Sequence, residues 1–158
     1  MSRAVTVDHG ARAPALRRRW SRLCDLLATW LNDSVLALMA RFAIAGIFWM
    51  SGRTKVDGWL TVSDGARALF AEEYRVPLLP PEMAAHLATW AEHLFPVLLV
   101  VGLMTRVSAL ALLGMTAVIQ VFVYPDAWPT HLSWAGLLGL LMARGGGVLS
   151  LDRALGIR

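Results

Sequence analysis

Cysteine and lysine are nearly absent from this 158-residue sequence, which contains one of each, Cys24 and Lys55. A single cysteine excludes an intrachain disulfide, a CxxC redox motif and a zinc site built from cysteine pairs. The sequence also contains no GxGxxG or P-loop motif, no HExxH pair and no nucleophile elbow. Its glycine run, Gly145 to Gly147, lacks the lysine of a phosphate-binding loop. The chain therefore carries no catalytic motif that can be recognised from sequence.

Charged residues are also scarce, at 16%, whereas hydrophobic residues make up 57% of the chain and the mean hydropathy is +0.56. This composition is too apolar for an ordinary soluble domain and indicates an integral membrane protein. The net charge of +4 does not indicate a nucleic-acid partner, because six of the 15 basic residues lie before Asp33. Basic residues beside a membrane-spanning segment are typical of a topology signal.

Four apolar segments follow one another along the chain, at residues 34–51, 84–104, 107–124 and 131–143. A helix needs about 20 mostly apolar residues to cross a bilayer, so the last segment is short for a span. We predict an all-α fold, a bundle of four transmembrane helices. In this arrangement the N-terminal part, the turn at Arg106 and the C-terminal part lie on one side of the membrane and carry ten basic residues. The loop between the first and second apolar segments lies on the other side and carries four. The positive-inside rule then predicts that both termini are cytoplasmic, with the chain in the bacterial inner membrane.

The sequence before the first apolar segment divides into two parts. Residues 1–19 are rich in arginine and show no hydrophobic periodicity, so we predict a disordered cytoplasmic tail. Residues 20–31 place tryptophans and leucines at helical spacing, which predicts an amphipathic helix in the membrane interface. The predicted domains are this tail, the interfacial helix at 20–33 and the membrane domain at 34–158.

Ionisable side chains interrupt the apolar segments. Arg41 lies in the first segment, and Glu92 and His93 lie in the second. A charge near the centre of a membrane costs at least about 2.5 kcal/mol on insertion scales, so each group needs a partner, a cavity or a function. The predicted depths of Arg41 and Glu92 differ by about 9 Å, which the two side chains can bridge. Two alternatives stay open, a structural ion pair and a site for a proton or a ligand.

Helical positions group the polar residues into two predicted clusters. The intramembrane cluster consists of Arg41, Glu92, His93, Trp90 and Gln120. The outer cluster consists of Lys55, His86, His131 and Trp134. His86 and His93 lie two helical turns apart, about 10 Å, which is too far to bind one metal ion directly, so we predict no metal site. The simpler alternative for each histidine is a hydrogen-bonded structural residue.

Several short motifs stand in a fixed order between residues 36 and 152. They are Arg41-Phe42, Gly46-Ile47-Phe48, Ser51-Gly52 and Lys55; Glu73-Tyr74 and Val76-Pro77; Glu92, Pro96 and Gly102; Gln120 to Pro125; His131 and Trp134; and Ser150-Leu151-Asp152. In order and spacing, these motifs resemble the DoxX family of small bacterial membrane proteins.

The resemblance implies a four-helix membrane bundle with a redox-linked or stress-linked role. Family members are associated with sulfur-compound and quinone oxidoreduction, or with complexes that respond to oxidative or metal stress. The leading hypothesis is a membrane subunit or accessory factor of such a system. The alternatives are a quinone-reducing oxidoreductase subunit acting on thiosulfate or a similar donor, and a transporter of a small solute or metal. A redox role needs a bound quinone or a partner protein, since the chain has no cysteine pair.

The expected partners follow from the same reasoning. They are the lipid bilayer, a redox or stress-response protein, and a second copy of the chain, for which Gly46, Gly114 and Gly139 leave room. Transport is the weakest alternative because the sequence shows no evident inverted repeat.

Overall fold

A computed structural model of the chain describes residues 12–74, 76–77 and 79–157. These residues form the helices α1 (Arg12–Trp30), α2 (Asp33–Arg53), α3 (Asp64–Glu72), α4 (Pro81–Val101), α5 (Thr105–Val118), α6 (Trp128–Arg144) and α7 (Leu151–Ala154). A π-helical turn, Ile119–Val123, extends α5, and a 3-10 turn, Pro125–Ala127, precedes α6. Two short antiparallel strands, β1 (Val56–Asp57) and β2 (Thr61–Val62), form a hairpin between α2 and α3.

The helix α1 lies in a separate compact unit, Met1–Asn32, and the rest of the chain forms the second unit, Asp33–Arg158. The predicted helix at residues 20–31 begins earlier than expected, because α1 starts at Arg12. Residues 12–19, predicted as part of the tail, belong to this helix in the structure. Alanine, leucine and arginine are strong helix formers, and a proline is tolerated in the first turn. The first eleven residues of the predicted tail lie outside the described residues.

Among the described residues, three helical segments are long and apolar enough to cross a membrane. They are Asp33–Arg53, Pro81–Val101 and Thr105–Val123. The helix α6 has 17 residues, about 26 Å of helix, and is shorter than the roughly 30 Å of a bilayer core. The all-α fold is confirmed, whereas a fourth span through α6 stays a prediction.

Four helices of the second unit pack in a ring. The helix α2 packs against α4, α4 against α5, α5 against α6, and α6 against α2. Helix α2 supplies three alanines and two larger residues to the shared core, and its neighbours supply mostly leucines: Ala37, Ala40, Ile44, Ala45, Phe48, Leu99, Ala109, Leu112, Leu138 and Leu141. Small side chains on α2 allow close approach of the helix backbones, as is common in membrane bundles.

Gly52 lies where α2 packs tightly against α4. A Cβ atom at this position would lie 2.8 Å from His93 Cε1 and 3.1 Å from Glu92 Cβ. Contacts this short are not tolerated, so a side chain here would push the two helices apart. The register of the α2–α4 pair therefore places the end of α2 beside Glu92.

The turn between α4 and α5 is tight. Gly102 ends α4 with φ +71°, a conformation that favours glycine, and Met104 follows with φ +49°. The carboxylate of Asp152 accepts hydrogen bonds from the backbone N–H groups of Met104 (2.7 Å) and Thr105 (2.8 Å). A residue far along the chain thus caps the first turn of α5.

The segment between α2 and α4 packs against α4. Ser63 caps α3 by accepting a hydrogen bond from the Ala66 N–H at 3.1 Å. A second apolar core holds this segment to α4, formed by Val62, Ala66, Phe70, Ala84 and Ala85. The segment is fixed in place and supplies residues to the site described next.

Candidate functional site

A buried ion pair lies between the end of α2 and the middle of α4. Lys55 Nζ lies 2.8 Å from Glu92 Oε2 and donates a hydrogen bond to Glu92 Oε1 at 3.1 Å. The two residues are only 7% and 2% exposed. A carboxylate buried in an apolar environment needs a partner that compensates its charge, and Lys55 is that partner.

Ser51 completes the polar network around this pair. Its hydroxyl donates to Glu92 Oε1 at 3.1 Å and accepts a hydrogen bond from Lys55 Nζ at 3.0 Å. Lys55 Nζ also donates to the Ser51 carbonyl oxygen at 3.2 Å. Because Ser51 lies one helical turn before Lys55, the local helix geometry brings the hydroxyl and the ammonium group together.

The ion pair forms part of the wall of a cavity of about 420 Å³, which we call the Glu92 cavity. Most of its lining is apolar and comes from α2, α4, α5 and the segment before α4: Ile47, Phe48, Phe70, Val76, Leu79, Ala84, Leu87, Ala88, Ala91, Met115, Val118, Ile119 and Val123. Its other polar or amphipathic lining residues are Ser51, Tyr74, Tyr124, His131 and Trp134. An apolar cavity with a few convergent polar groups is typical of a small-molecule site.

Two tyrosines from distant parts of the chain meet at the cavity wall. The hydroxyl oxygens of Tyr74 and Tyr124 lie 2.7 Å apart, and the rings pack edge to face with centroids 5.6 Å apart. Burial raises the pKa of the Tyr74 hydroxyl above its usual range, and the hydrogen bond with Tyr124 raises it further. Tyr74 therefore remains a neutral hydrogen-bonding group across the physiological pH range.

The π-helical turn at the end of α5 positions Gln120 beside His131. His131 Nδ1 lies 2.6 Å from Gln120 Oε1, and Gln120 Nε2 donates to the Pro125 carbonyl oxygen at 2.6 Å. An amide oxygen only accepts hydrogen bonds, so His131 Nδ1 carries the proton in this contact. The His131 ring also packs against Trp134 with centroids 5.1 Å apart. Single π-helical turns are frequent at functional sites.

Arg41 is buried at a different depth and does not pair with Glu92. Its Nε donates to the Leu99 carbonyl oxygen (2.6 Å) and its Nη2 to that of Val100 (2.6 Å). Its Nη1 donates to the carbonyl oxygens of Gly146 (2.9 Å) and Leu149 (2.6 Å). The predicted Arg41–Glu92 pair is therefore wrong, and Arg41 instead ties the C-terminal segment to the end of α4.

The remaining predicted site residues lie away from the Glu92 cavity. Trp90 and His93 line a separate groove of about 520 Å³ that also includes Trp49 and Trp59. His93 Nδ1 lies 2.7 Å from the Thr89 carbonyl oxygen, and its ring packs on that of Trp49.

His86 is half exposed and bonds through Nδ1 to the Glu82 carbonyl oxygen at 2.8 Å. It does not line any of the cavities described here. Within the described part of the chain, no three His, Cys, Asp or Glu side chains come together in a way that could hold a metal ion.

The structure thus regroups the two predicted clusters. Glu92 from the first cluster joins Lys55, His131 and Trp134 from the second around one cavity. Sequence reasoning did not assign Ser51, Tyr74 or Tyr124 to a site. The spacing of Ser51 one turn before Lys55 was a usable signal, whereas the meeting of the two tyrosines depends on tertiary structure.

Comparison with known proteins identifies relatives of this chain. The sequence model of the DoxX family matches residues 36–125, which include Arg41, Lys55 and Glu92. An uncharacterized protein of Haemophilus influenzae is 30% identical over 134 residues, covering 77% of this chain and 84% of that protein. No solved structure matches the chain significantly.

Proposed function

Because the chain belongs to the DoxX family of membrane proteins, we propose that it is an inner-membrane subunit of a redox-linked or stress-response system and binds a quinone in the Glu92 cavity. The observation that carries this proposal is the Lys55–Glu92 pair in the wall of an otherwise apolar cavity. A buried charge pair inside a membrane segment is costly and is more often retained for a ligand or a proton than for packing.

The donor set of the cavity fits a quinone headgroup. Quinone carbonyl oxygens accept hydrogen bonds, and one hydroxyl of the Tyr74–Tyr124 pair is left to donate at the cavity wall. Lys55 would donate after giving up its hydrogen bond to the Ser51 carbonyl oxygen. The apolar part of the lining, such as Ile47, suits the hydrocarbon tail of such a molecule. When bound, a quinone supplies an acceptor for two electrons and two protons.

The protein's own residues would position the ligand and manage protons. Lys55 would donate a hydrogen bond to a carbonyl oxygen, and Glu92 would hold a proton at a carboxylate oxygen once its partner is drawn to the ligand. Electrons would come from a partner protein, because the sequence has one cysteine, Cys24, and no cysteine pair. This need for a donor supports a role as a subunit rather than as a complete enzyme.

The proposed membrane arrangement has four spans with both termini cytoplasmic and α1 in the membrane interface. The helix α6 is the fourth span in this arrangement, and its 17 residues are compatible with crossing where the bilayer thins. The distribution of arginines supports the orientation.

Binding of a short-tailed ubiquinone analogue to the purified protein in nanodiscs tests the proposal. Quenching of tryptophan fluorescence reports occupancy, since Trp134 lines the cavity. Ala91→Phe fills the cavity, and we expect the analogue to bind at least about tenfold more weakly, the equivalent of roughly 1.4 kcal/mol. Ala117→Phe is the matched control, because Ala117 is exposed on α5 and does not line the cavity.

The double variant Lys55→Met/Glu92→Leu gives a second test that does not depend on filling space. Replacing both charges with apolar groups of similar volume is expected to keep the fold. Quinone binding should then be lost although the protein unfolds cooperatively. Undiminished binding in both this variant and Ala91→Phe would contradict the proposal.

A further inference from the structure

A groove of about 770 Å³ lies at the end of the bundle where α2 and α5 begin and α6 ends. The C-terminal segment, residues 145–157, forms much of its other wall. Arg106, Arg144 and Arg153 line this groove, which we call the basic groove. It shares no described lining residue with the Glu92 cavity, so its role is independent of quinone binding.

Two of the three guanidinium groups are available to a ligand. Arg144 Nη1 pairs with Asp33 Oδ2 at 2.7 Å, which neutralises that cation. Arg106 makes one long hydrogen bond, from Nη2 to the Ala143 carbonyl oxygen at 3.4 Å. Within the described residues, the Arg153 side chain has no ion pair or hydrogen bond. Most of the donors of Arg106 and all those of Arg153 are therefore free.

The carboxylates of the groove are already engaged. Asp33 pairs with Arg144, and both oxygens of Asp152 accept backbone N–H groups at the start of α5. Neither carboxylate compensates the free guanidinium groups directly. The charge left over in the groove is positive and suits an anion with several oxygen acceptors.

Exposed apolar side chains lie directly beside these arginines. Val107, Val148 and Ile157 line the groove and are about half exposed. Leu151 and Leu155, on and just after α7, are also exposed. A soluble phosphate compound would gain nothing from this surface, whereas the acyl chains of a lipid would cover it.

The geometry points to a binding site for an anionic phospholipid in the basic groove. Arg106 and Arg153 donate to the phosphate group, and the acyl chains contact Val107, Val148 and Ile157. A basic pocket between helix ends, at the level of the headgroups, is the usual form of such a site. Arg41 donates four hydrogen bonds to backbone carbonyl oxygens, two of them in the C-terminal segment. These bonds fix the wall of the basic groove that the C-terminal segment forms.

Lipid titration of the purified full-length protein tests this inference. Native mass spectrometry compares binding of dioleoyl phosphatidylglycerol with that of dioleoyl phosphatidylcholine. We expect the anionic lipid to bind more tightly. Because an arginine at the membrane surface is worth roughly a fivefold change in affinity, Arg106→Gln/Arg153→Gln should weaken phosphatidylglycerol binding about 30-fold and leave phosphatidylcholine binding unchanged. Both arginines are exposed, so the variant should melt like the wild-type chain in pure detergent.

Arg17→Gln/Arg18→Gln is the matched control, because it removes the same charge from α1, where both residues are exposed. This control should keep the preference for phosphatidylglycerol. An equal loss of phosphatidylglycerol affinity in the two variants would show a general effect of charge and would contradict a specific site in the basic groove. An unchanged preference for phosphatidylglycerol in Arg106→Gln/Arg153→Gln would also overturn it, as would binding of inorganic phosphate alone that is as tight as that of phosphatidylglycerol. If the double variant does not fold, the single variant Arg153→Gln replaces it, and its affinity for phosphatidylglycerol should fall about fivefold.

Discussion

At the scale of single residues, we expect the largest change in stability when one partner of the Lys55–Glu92 pair is removed. Lys55→Met leaves Glu92 buried at 2% exposure without a counter-charge. Removing one partner of a buried pair typically costs about 3–5 kcal/mol, so we expect a loss of this size in the free energy of unfolding. Denaturant titration in detergent measures it. Adding Glu92→Leu to the same protein should recover much of the loss, because no charge then remains unpaired.

The exposed pair Arg67–Glu82 provides the comparison for this measurement. Its nitrogen and oxygen atoms lie 3.1 Å apart, but the side chains are 41% and 59% exposed. Exposed pairs contribute about 0–1 kcal/mol, so Arg67→Met should change stability little. A similar loss in Lys55→Met and Arg67→Met would show that burial of the Lys55–Glu92 pair has no energetic consequence.

Sequence reasoning identified the buried charges but not their partners. Arg41 and Glu92 were both expected to avoid lipid, and both are buried. The α2–α4 register puts Gly52 beside Glu92, and Arg41 lies eleven residues before Gly52, about 16 Å along the helix. At its own depth, Arg41 instead donates to backbone carbonyls at the end of α4 and in the C-terminal segment. Sequence spacing within single helices contains no information about such contacts.

At the scale of secondary-structure elements, the contact of α2 with α4 depends on Gly52. Gly52→Ala would place a Cβ atom 2.8 Å from the His93 ring. Overpacking typically costs about 1–3 kcal/mol, and we expect a thermal unfolding midpoint that falls accordingly. Gly46→Ala, on the same helix, is the control, since no atom lies within 4 Å of its new Cβ. That change should be neutral or stabilise by up to about 1 kcal/mol.

Equal effects of Gly52→Ala and Gly46→Ala would contradict the close approach of α2 and α4. The same experiment also bears on the Glu92 cavity. Because the added Cβ would also lie 3.1 Å from the Glu92 Cβ, a displaced α2 would move Ser51 and Lys55 away from the carboxylate. Gly52→Ala should therefore weaken quinone binding in addition to lowering stability.

Helix positions were predictable and helix ends were not. The helix α2 runs from Asp33 to Arg53, close to the predicted 34–51. The helix α6 begins at Trp128, three residues before the predicted start. Pro129 was expected to belong to the loop before the helix, but it lies in the first helical turn, where proline is tolerated. The helix α4 ends at Val101, since Gly102 takes a left-handed conformation that apolar character does not reveal.

At the scale of the whole molecule, the number of spans decides where the ends of the chain lie. Four spans place both termini on the same side of the membrane, and three spans place them on opposite sides. We expect reporter fusions after Arg158 and at the N-terminus to report the cytoplasm, and a fusion at Trp59, which is 90% exposed, to report the outside. A reporter after Arg158 that is active outside the cytoplasm would show that α6 does not cross.

The sequence predicted that the molecule is a bundle of membrane helices, but not which helices pack against each other. Apolar segments predicted membrane helices, and the described part of the chain contains three that are long enough. The closed ring of α2, α4, α5 and α6 depends on contacts between residues far apart in sequence. Gly46, Gly114 and Gly139, predicted as dimer contacts, face open space within the chain, so association through them remains a prediction.

The hydrogen bonds of Arg41 join parts of the chain that the ribosome makes at different times. Its acceptors at Leu99 and Val100 are synthesised 58 and 59 residues after it, and those at Gly146 and Leu149 follow 105 and 108 residues after it. A nascent chain that stops before residue 146 holds an arginine in the bilayer with half of its acceptors missing. Closure of the bundle around Arg41 is therefore conditional on completed translation, and an aborted product would leave this end of the bundle loosely packed.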